Sequence, residues 1–246
     1  MEDALIRFIG VRKRFGAKVV FEDLTLDVKR GEVLTVMGPS GCGKSVMLKM
    51  LIGLLPIDEG KVLFEGHDVG AMDERELLDL RGRVAYLFQG AALFDSLTVG
   101  ENVAYGLRER FWKTMSRAEI AARVARSLDV VGLAGTEAMK PADLSGGMRK
   151  RVGLARTLAL EPRVILYDEP NTGLDPVNTA RINQLIRHIQ KTLSVTSIVV
   201  THDMKTMTTV SDRVAFLYDG RVAFVGTVAE LRTTRTEPVR SFIDAA

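Results

Sequence analysis

Residues Gly38-Pro39-Ser40-Gly41-Cys42-Gly43-Lys44-Ser45 fit the pattern G-x-x-x-x-G-K-[ST]. The apolar run Val33-Leu34-Thr35-Val36-Met37 before them reads as a buried strand, and Met47 to Ile52 after them reads as the first turns of a helix. This strand–loop–helix context makes the pattern a phosphate-binding loop rather than a glycine-rich turn with a chance Lys-Ser. The glycines let the backbone turn so that several N–H groups face one anion, and the following helix adds its positive dipole end. Lys44 can reach the outer phosphates of a nucleotide, and the Ser45 hydroxyl can ligate Mg²⁺.

The 246 residues allow one large domain or two modest lobes. With 34 basic and 31 acidic residues the net charge is only +3, and the one clustered run is Arg149-Lys150-Arg151. A general nucleic-acid binder carries a larger clustered excess, so that class is excluded. The single cysteine, Cys42, forbids an internal disulfide and fits a reducing compartment. Met1-Glu2-Asp3 is acidic where a signal peptide is basic, and Met47 to Ile57 is too short and interrupted to span a bilayer. The expectation is a soluble chain whose membrane role, if any, comes through a partner.

Residues 4–9 and 19–28 read as strands, with Arg12 to Gly16 as a loop between them. Phe15 in that loop can stack on a nucleobase or plug the hairpin. Asp73 to Leu80 reads as a short helix and Arg83 to Phe88 as a strand running into Gln89, which is either a Mg²⁺ ligand or a plain loop residue. From about 98 to 158 strand signals vanish, while Ile120, Val124, Leu128 and Val131 recur at helical spacing. Ser145 reads as an N-cap followed by Gly146 and Gly147, either an ordinary helix start or one baring its N–H groups to an anion. Val164 to Glu169 reads as a buried parallel strand ending in two acids, Asp168 to hold Mg²⁺ through water and Glu169 to polarise an attacking water. Pro176 starts a helix with Ile182, Leu185, Ile186, Ile189 and Leu193 on its apolar face. Ser197 to Thr201 is a further buried strand ending at His202, and two strands, Val214 to Tyr218 and Val222 to Val225, precede small terminal helices.

In this order and spacing the residues resemble the ATPase subunit of ABC transporters, over nearly the whole chain. The resemblance assigns Gly38 to Val46 as the nucleotide loop, Gln89 as the Q-loop, Leu144 to Met148 as the signature, Val164 to Glu169 as Walker B, Gly173-Leu174-Asp175 as the D-loop and His202 as the H-loop. It implies an α/β P-loop NTPase fold over residues 4–246. A RecA-like core sheet with an N-terminal antiparallel β subdomain would occupy about 4–97 and 159–233, a helical subdomain about 98–158, and a short tail 234–246. It also implies a head-to-tail homodimer with ATP sandwiched between the P-loop of one copy and Ser145, Gly146, Gly147 and Asp175 of the other. Phe15 would stack on adenine, Ser45, Gln89 and Asp168 would hold Mg²⁺, Glu169 would be the general base, and His202 would hold the γ-phosphate and water.

Two positions depart from the family. Met148 stands where Gln is usual in the signature, and Phe15 where Tyr is usual. Cys42 lies in an N–H nest that could depress its thiol pKa, the plainer reading being a small side chain that fits the loop.

A narrower resemblance rests on Phe88 to Tyr105, Gly147-Met148, the basic run 149–151 and Ser45-Val46: the segment is similar to ATPases of Mla/Mce-type lipid transporters. That implies phospholipid movement between bacterial membranes, at the cytoplasmic face of the inner membrane. The partners implied are an MlaE-like permease docked in a groove near Gln89 to Leu97 and an Mce-domain lipid-binding protein; whether a small regulatory subunit binds the helical insert is left open by the sequence. Pro238 to Ala246 is similar to the end of this type but stops early. An amino-acid or metal importer's ATPase is the competing expectation. A ribosome-associated ABC protein would carry two such loops or a long coiled coil, and a non-hydrolysing sensor would lack Glu169 or His202.

Overall fold

The computed structural model describes residues 4–244. The acidic start Met1-Glu2-Asp3 and the last two residues of the Pro238 to Ala246 segment lie outside the described residues. The strands, in chain order, are β1 (Ala4–Phe15), β2 (Lys18–Lys29), β3 (Val33–Met37), β4 (Glu59–Phe64), β5 (His67–Asp68), β6 (Val84–Leu87), β7 (Val164–Asp168), β8 (Thr196–Val200), β9 (Arg213–Tyr218) and β10 (Arg221–Gly226). They form one sheet in the order β5-β4-β1-β2-β10-β9-β3-β8-β7-β6. The first four in that list pair antiparallel, whereas β9, β3, β8, β7 and β6 run parallel. The two halves meet at a single parallel pairing of Arg221 with Asp23.

Every residue of β3, β7 and β8 is buried. This is why they read as continuous apolar runs: strands covered on both faces show no alternation. On one face Leu34, Val36, Leu166 and Ile198 pack with the β1–β2 hairpin and α1 (Lys44–Leu51). On the other, Val33, Ile165, Tyr167 and Val199 pack with the helical residues Val103, Leu154 and Ile186.

The remaining helices are α2 (Glu74–Arg83), α3 (Val99–Phe111), α4 (Arg117–Val130), α5 (Gly146–Ala159), α6 (Pro176–Leu193), α7 (Met204–Val210), α8 (Val228–Thr233) and α9 (Val239–Asp244). Reciprocal capping boxes start four of them: Asp73 with Glu76, Thr98 with Glu101, Ser116 with Glu119, and Thr227 with Glu230. Helices α3, α4 and α5 pack on one another as a layer of their own, with Ile120, Val124, Leu128 and Val131 buried as their spacing predicts.

The structure differs from the sequence reading in four places. Residues 12–15 are strand, not loop, because β1 continues past a register shift near Gly10 and buries Val11 and Lys13, the latter paired with Asp58 at 2.9 Å. Helix α2 runs on to Arg83, so the strand after it begins at Val84 and stops at Leu87. Leu193 is exposed, since α6 outruns the sheet it covers. Helix α7, too short for a periodicity signal, was not expected; its start is capped by Asp203.

Candidate functional site

Three strands that are neighbours in the sheet, β3, β8 and β7, end at one edge, and the motif residues follow their C-terminal ends. That is the edge where open α/β sheets place ligands. The loop after β3 turns with Gly38 at φ 145°, Gly41 at 79° and Gly43 at 103°. At Gly43 a Cβ would lie 2.6 Å from Val20 Cγ1 and 2.7 Å from Phe21 Cζ, so only glycine fits against the β2 strand. Gly43 is also the N-cap of α1 and offers no side-chain acceptor, so the first N–H groups of that helix are free to meet an anion. Lys44 is buried and donates from Nζ to the carbonyls of Gly38 at 2.8 Å and Pro39 at 3.0 Å, which pins the ammonium over the loop.

Ser45 Oγ donates to Asp168 Oδ1 at 2.8 Å, and the Tyr86 hydroxyl donates to Asp168 Oδ2 at 2.7 Å. Burial, reinforced by the bond to Asp168, raises the Tyr86 pKa, so the phenol stays a donor. The Asp168 carboxylate, 8% exposed, therefore has both oxygens engaged and a fixed orientation. Glu169 turns the other way. Its backbone is in the left-handed region at φ 48°, its N–H donates to Val200 O, and its Oε1 accepts from His202 Nδ1 at 2.9 Å. A glutamate held in that region is strained, and such strain clusters at functional sites.

These residues border a cleft of about 350 Å³ whose lining includes Phe15, Ser40, Gly41, Gly43, Lys44, Ser45, Val46 and Glu169. Phe15 is half exposed there, with Lys13 Nζ 5.1 Å from its ring centroid. Cys42 is partly buried, and that burial pushes its thiol pKa up against the opposing influence of Lys44, the reverse of the depression its nest could cause.

Ser145, Gly146, Gly147 and Asp175 do not line this cleft. Ser145 caps α5 by accepting from Met148 N at 3.2 Å, and a Cβ on Gly147 would lie 2.5 Å from Asn178 Oδ1. Asp175 caps α6, accepting from the N–H groups of Val177 and Asn178, and these bonds hold its carboxyl below the usual range. The signature and the D-loop thus abut each other on a surface apart from the P-loop. Gln89 has an exposed side chain, and its carbonyl accepts from the buried Lys150 Nζ.

Lys150 and Tyr86 escaped the sequence reading. Lys150 falls on the stripe of Leu154 and Leu158 in α5, a signal that it is buried despite its place in a basic run. Tyr86 lies within an apolar strand and carries no such signal.

Comparison with known proteins agrees with the geometry. A family profile described as ABC transporter matches residues 21–172, more than half of the chain. The chain is 37% identical over 247 residues to the Escherichia coli intermembrane phospholipid transport system ATP-binding protein MlaF, covering 99% of this chain and 91% of that one. It is 43% identical over 235 residues to the probable ribonucleotide transport ATP-binding protein mkl of Mycobacterium tuberculosis, covering 96% of this chain but only 65% of that longer protein. A Rhizobium etli methionine import ATP-binding protein, MetN, is 38% identical, covering 98% of this chain and 66% of its own length. Among solved structures, a dimeric ATP-binding cassette in a post-hydrolysis state bound to ADP and Pi matches with TM-score 0.82 at 32% identity, covering 91% of this chain and 98% of that one. With its P-loop, paired acids and histidine on one sheet edge, the chain belongs to the ABC transporter family, as its ATP-hydrolysing cassette.

Proposed function

We propose that two copies of the chain clamp MgATP head to tail and hydrolyse it to drive phospholipid transport through a membrane permease. The observation that carries the dimer is the one-sidedness of the cleft: the Ser145-Gly146-Gly147 helix tip lies off it within a single chain. A second copy would bring that tip to the γ-phosphate, with Asp175 behind it. The solved neighbour is itself dimeric and bound to ADP and Pi.

The donor set fits Mg²⁺. Ser45 Oγ and the Asp168 carboxylate converge as hard oxygen donors, and Gln89 would add an amide oxygen from the loop after β6. When bound, the ion would neutralise charge on the phosphates. Glu169 would take a proton from water as its oxygen attacks the γ-phosphorus and the bond to the ADP oxygen breaks. His202, already bonded to Glu169, would orient that carboxylate and reach the γ-phosphate. Phe15 would stack on adenine. Positioning and charge stabilisation of this kind are most of what phosphoryl transfer requires.

The lipid assignment rests on the MlaF relatives, matched over nearly the whole chain, and on segment 88–105. In that segment the half-exposed rings of Phe94 and Tyr105 pack tilted at 42° with centroids 4.7 Å apart, a surface suited to a permease helix. No helix among the described residues is long and apolar enough to cross a membrane. By similarity to the MlaF relatives, the proposed place of work is the cytoplasmic face of the inner membrane, held by an MlaE-like permease with an Mce-domain protein beyond it and room for a small regulatory subunit. Affinity capture of the tagged chain from detergent-solubilised membranes tests this. Recovery of a multi-span permease with an Mce-domain protein and bound phospholipid is expected. Recovery of an amino-acid permease would favour the second reading, supported by the similarity to MetN.

A further inference from the structure

Two consecutive residues after the Gln89 position, Ala91 at φ 60° and Ala92 at φ 46°, are in the left-handed backbone region without being glycine. Such a pair persists only where surrounding groups over-determine it. Here the surroundings are one stripe of α5. Arg156 donates from Nη1 to Ala92 O and from Nη2 to Ala91 O, both at 2.7 Å. One turn and a half earlier, Lys150 Nζ donates to Gln89 O. Between them Gly153 lets the loop approach: a Cβ there would sit 3.1 Å from Ala91 Cβ and 3.2 Å from Leu87 Cδ1. Neither cation has a carboxylate within salt-bridge distance among the described residues. Lys150 is 7% exposed, and burial lowers the pKa of both groups, with the Glu169 charge opposing the effect at Lys150.

We propose that Arg156 and Lys150 are positioning residues for Gln89, holding the 89–92 backbone in its left-handed course so that the Gln89 amide meets the Mg²⁺ of bound MgATP. The inference rests on the reading of Gln89 as a metal ligand. Because α5 begins at the Ser145-Gly146-Gly147 tip, the same rigid helix grips the Gln89 loop at one end and presents the signature at the other. A lysine at 156 keeps the charge but cannot chelate two carbonyls in a fork.

The test uses the full chain with Gln89→Ala, Arg156→Lys, Lys150→Met and the Gln89→Ala/Arg156→Lys double variant. Two readouts are taken: hydrogen exchange of the 90–93 amides without nucleotide, and Mn²⁺ affinity by electron paramagnetic resonance with a non-hydrolysable ATP analogue. Exchange is expected to quicken at 90–93 in both α5 variants, with ATP affinity in the absence of metal unchanged. Mn²⁺ affinity is expected to fall about 10-fold in Arg156→Lys and in Gln89→Ala, as loss of an outer support typically costs, and no further in the double variant. Wild-type exchange and Mn²⁺ affinity in both α5 variants, with Gln89→Ala impaired, would overturn the inference and leave the Gln89 reading standing. Wild-type Mn²⁺ affinity in Gln89→Ala would overturn both. Should Arg156→Lys lower the melting temperature, Lys150→Met supplies the same readouts, and a wild-type result there counts against the proposal.

Discussion

Glu169 Oε1 and His202 Nδ1 lie 2.9 Å apart, joined by a hydrogen bond between residues that follow the ends of β7 and β8. The imidazole donates from Nδ1, so its Nε2 faces away from the carboxylate, and Glu169 is largely shielded while His202 is largely exposed. A carboxylate held this way is oriented before substrate arrives. Glu169→Gln should keep ATP affinity and lower steady-state phosphate release by about 10³-fold, within the range of general-base removal. His202→Ala should keep binding and lower release by about 10²-fold. With ATP, Glu169→Gln should run as a dimer on size exclusion. Wild-type turnover in this variant would remove Glu169 from the role of base.

Lys44 is held over the loop by two carbonyls. Lys44→Ala removes a buried charge-assisted donor set, and ATP affinity should weaken at least about 10-fold, measured by titration of a fluorescent analogue. Unchanged affinity would place the nucleotide elsewhere.

Gly43 combines φ 103° with close contact to Val20 and Phe21. Gly43→Ala should destabilise the fold by about 1–3 kcal/mol in urea titration, from backbone strain with overpacking. ATP binding should fall with it, because the same turn aims the N–H groups. A stable variant with normal binding would contradict this geometry.

Glu65 contacts Arg83 at 2.8 Å, Arg163 at 2.7 Å and Arg30 at 3.6 Å. Burial alone would raise its pKa, but the arginines together outweigh that and hold it below the usual 4.5. A carboxylate depressed on folding contributes stability above its unfolded pKa and loses it as pH falls through the folded value. Glu65→Gln should therefore destabilise by about 1–3 kcal/mol at neutral pH, the cost of unpairing a charged hydrogen-bond network. The difference from wild type should shrink below about pH 4. A pH-independent difference would show that the loss is of packing, not charge.

Much of this site was legible residue by residue. The P-loop carries its own geometry in its glycines, since positive φ and close approach leave no other residue a place at Gly43. The buried strands β3, β7 and β8 announced themselves as mostly apolar runs that lead into the phosphate loop, Asp168-Glu169 and His202. The Ser145 cap was readable because capping is a contact within one turn. The loop reading of residues 12–15 failed because β1 and β2 stay paired past a register shift, Lys13 with Phe21, Arg14 with Val19 and Phe15 with Lys18, while Arg12 pairs with Glu59 of the distant β4.

The chain's own order thus determined that it is an α/β P-loop protein, where its phosphate loop lies, and which acids end its strands, because these depend on interactions among near neighbours and on the period of burial. Only the tertiary structure decided that Ser45 keys into Asp168, that Tyr86 completes that carboxylate, that His202 bonds Glu169, and that Lys150 and Arg156 grip the Gln89 loop. Those contacts join residues between 33 and 123 positions apart. Their partners are chosen by strand order and helix packing, which no local pattern encodes.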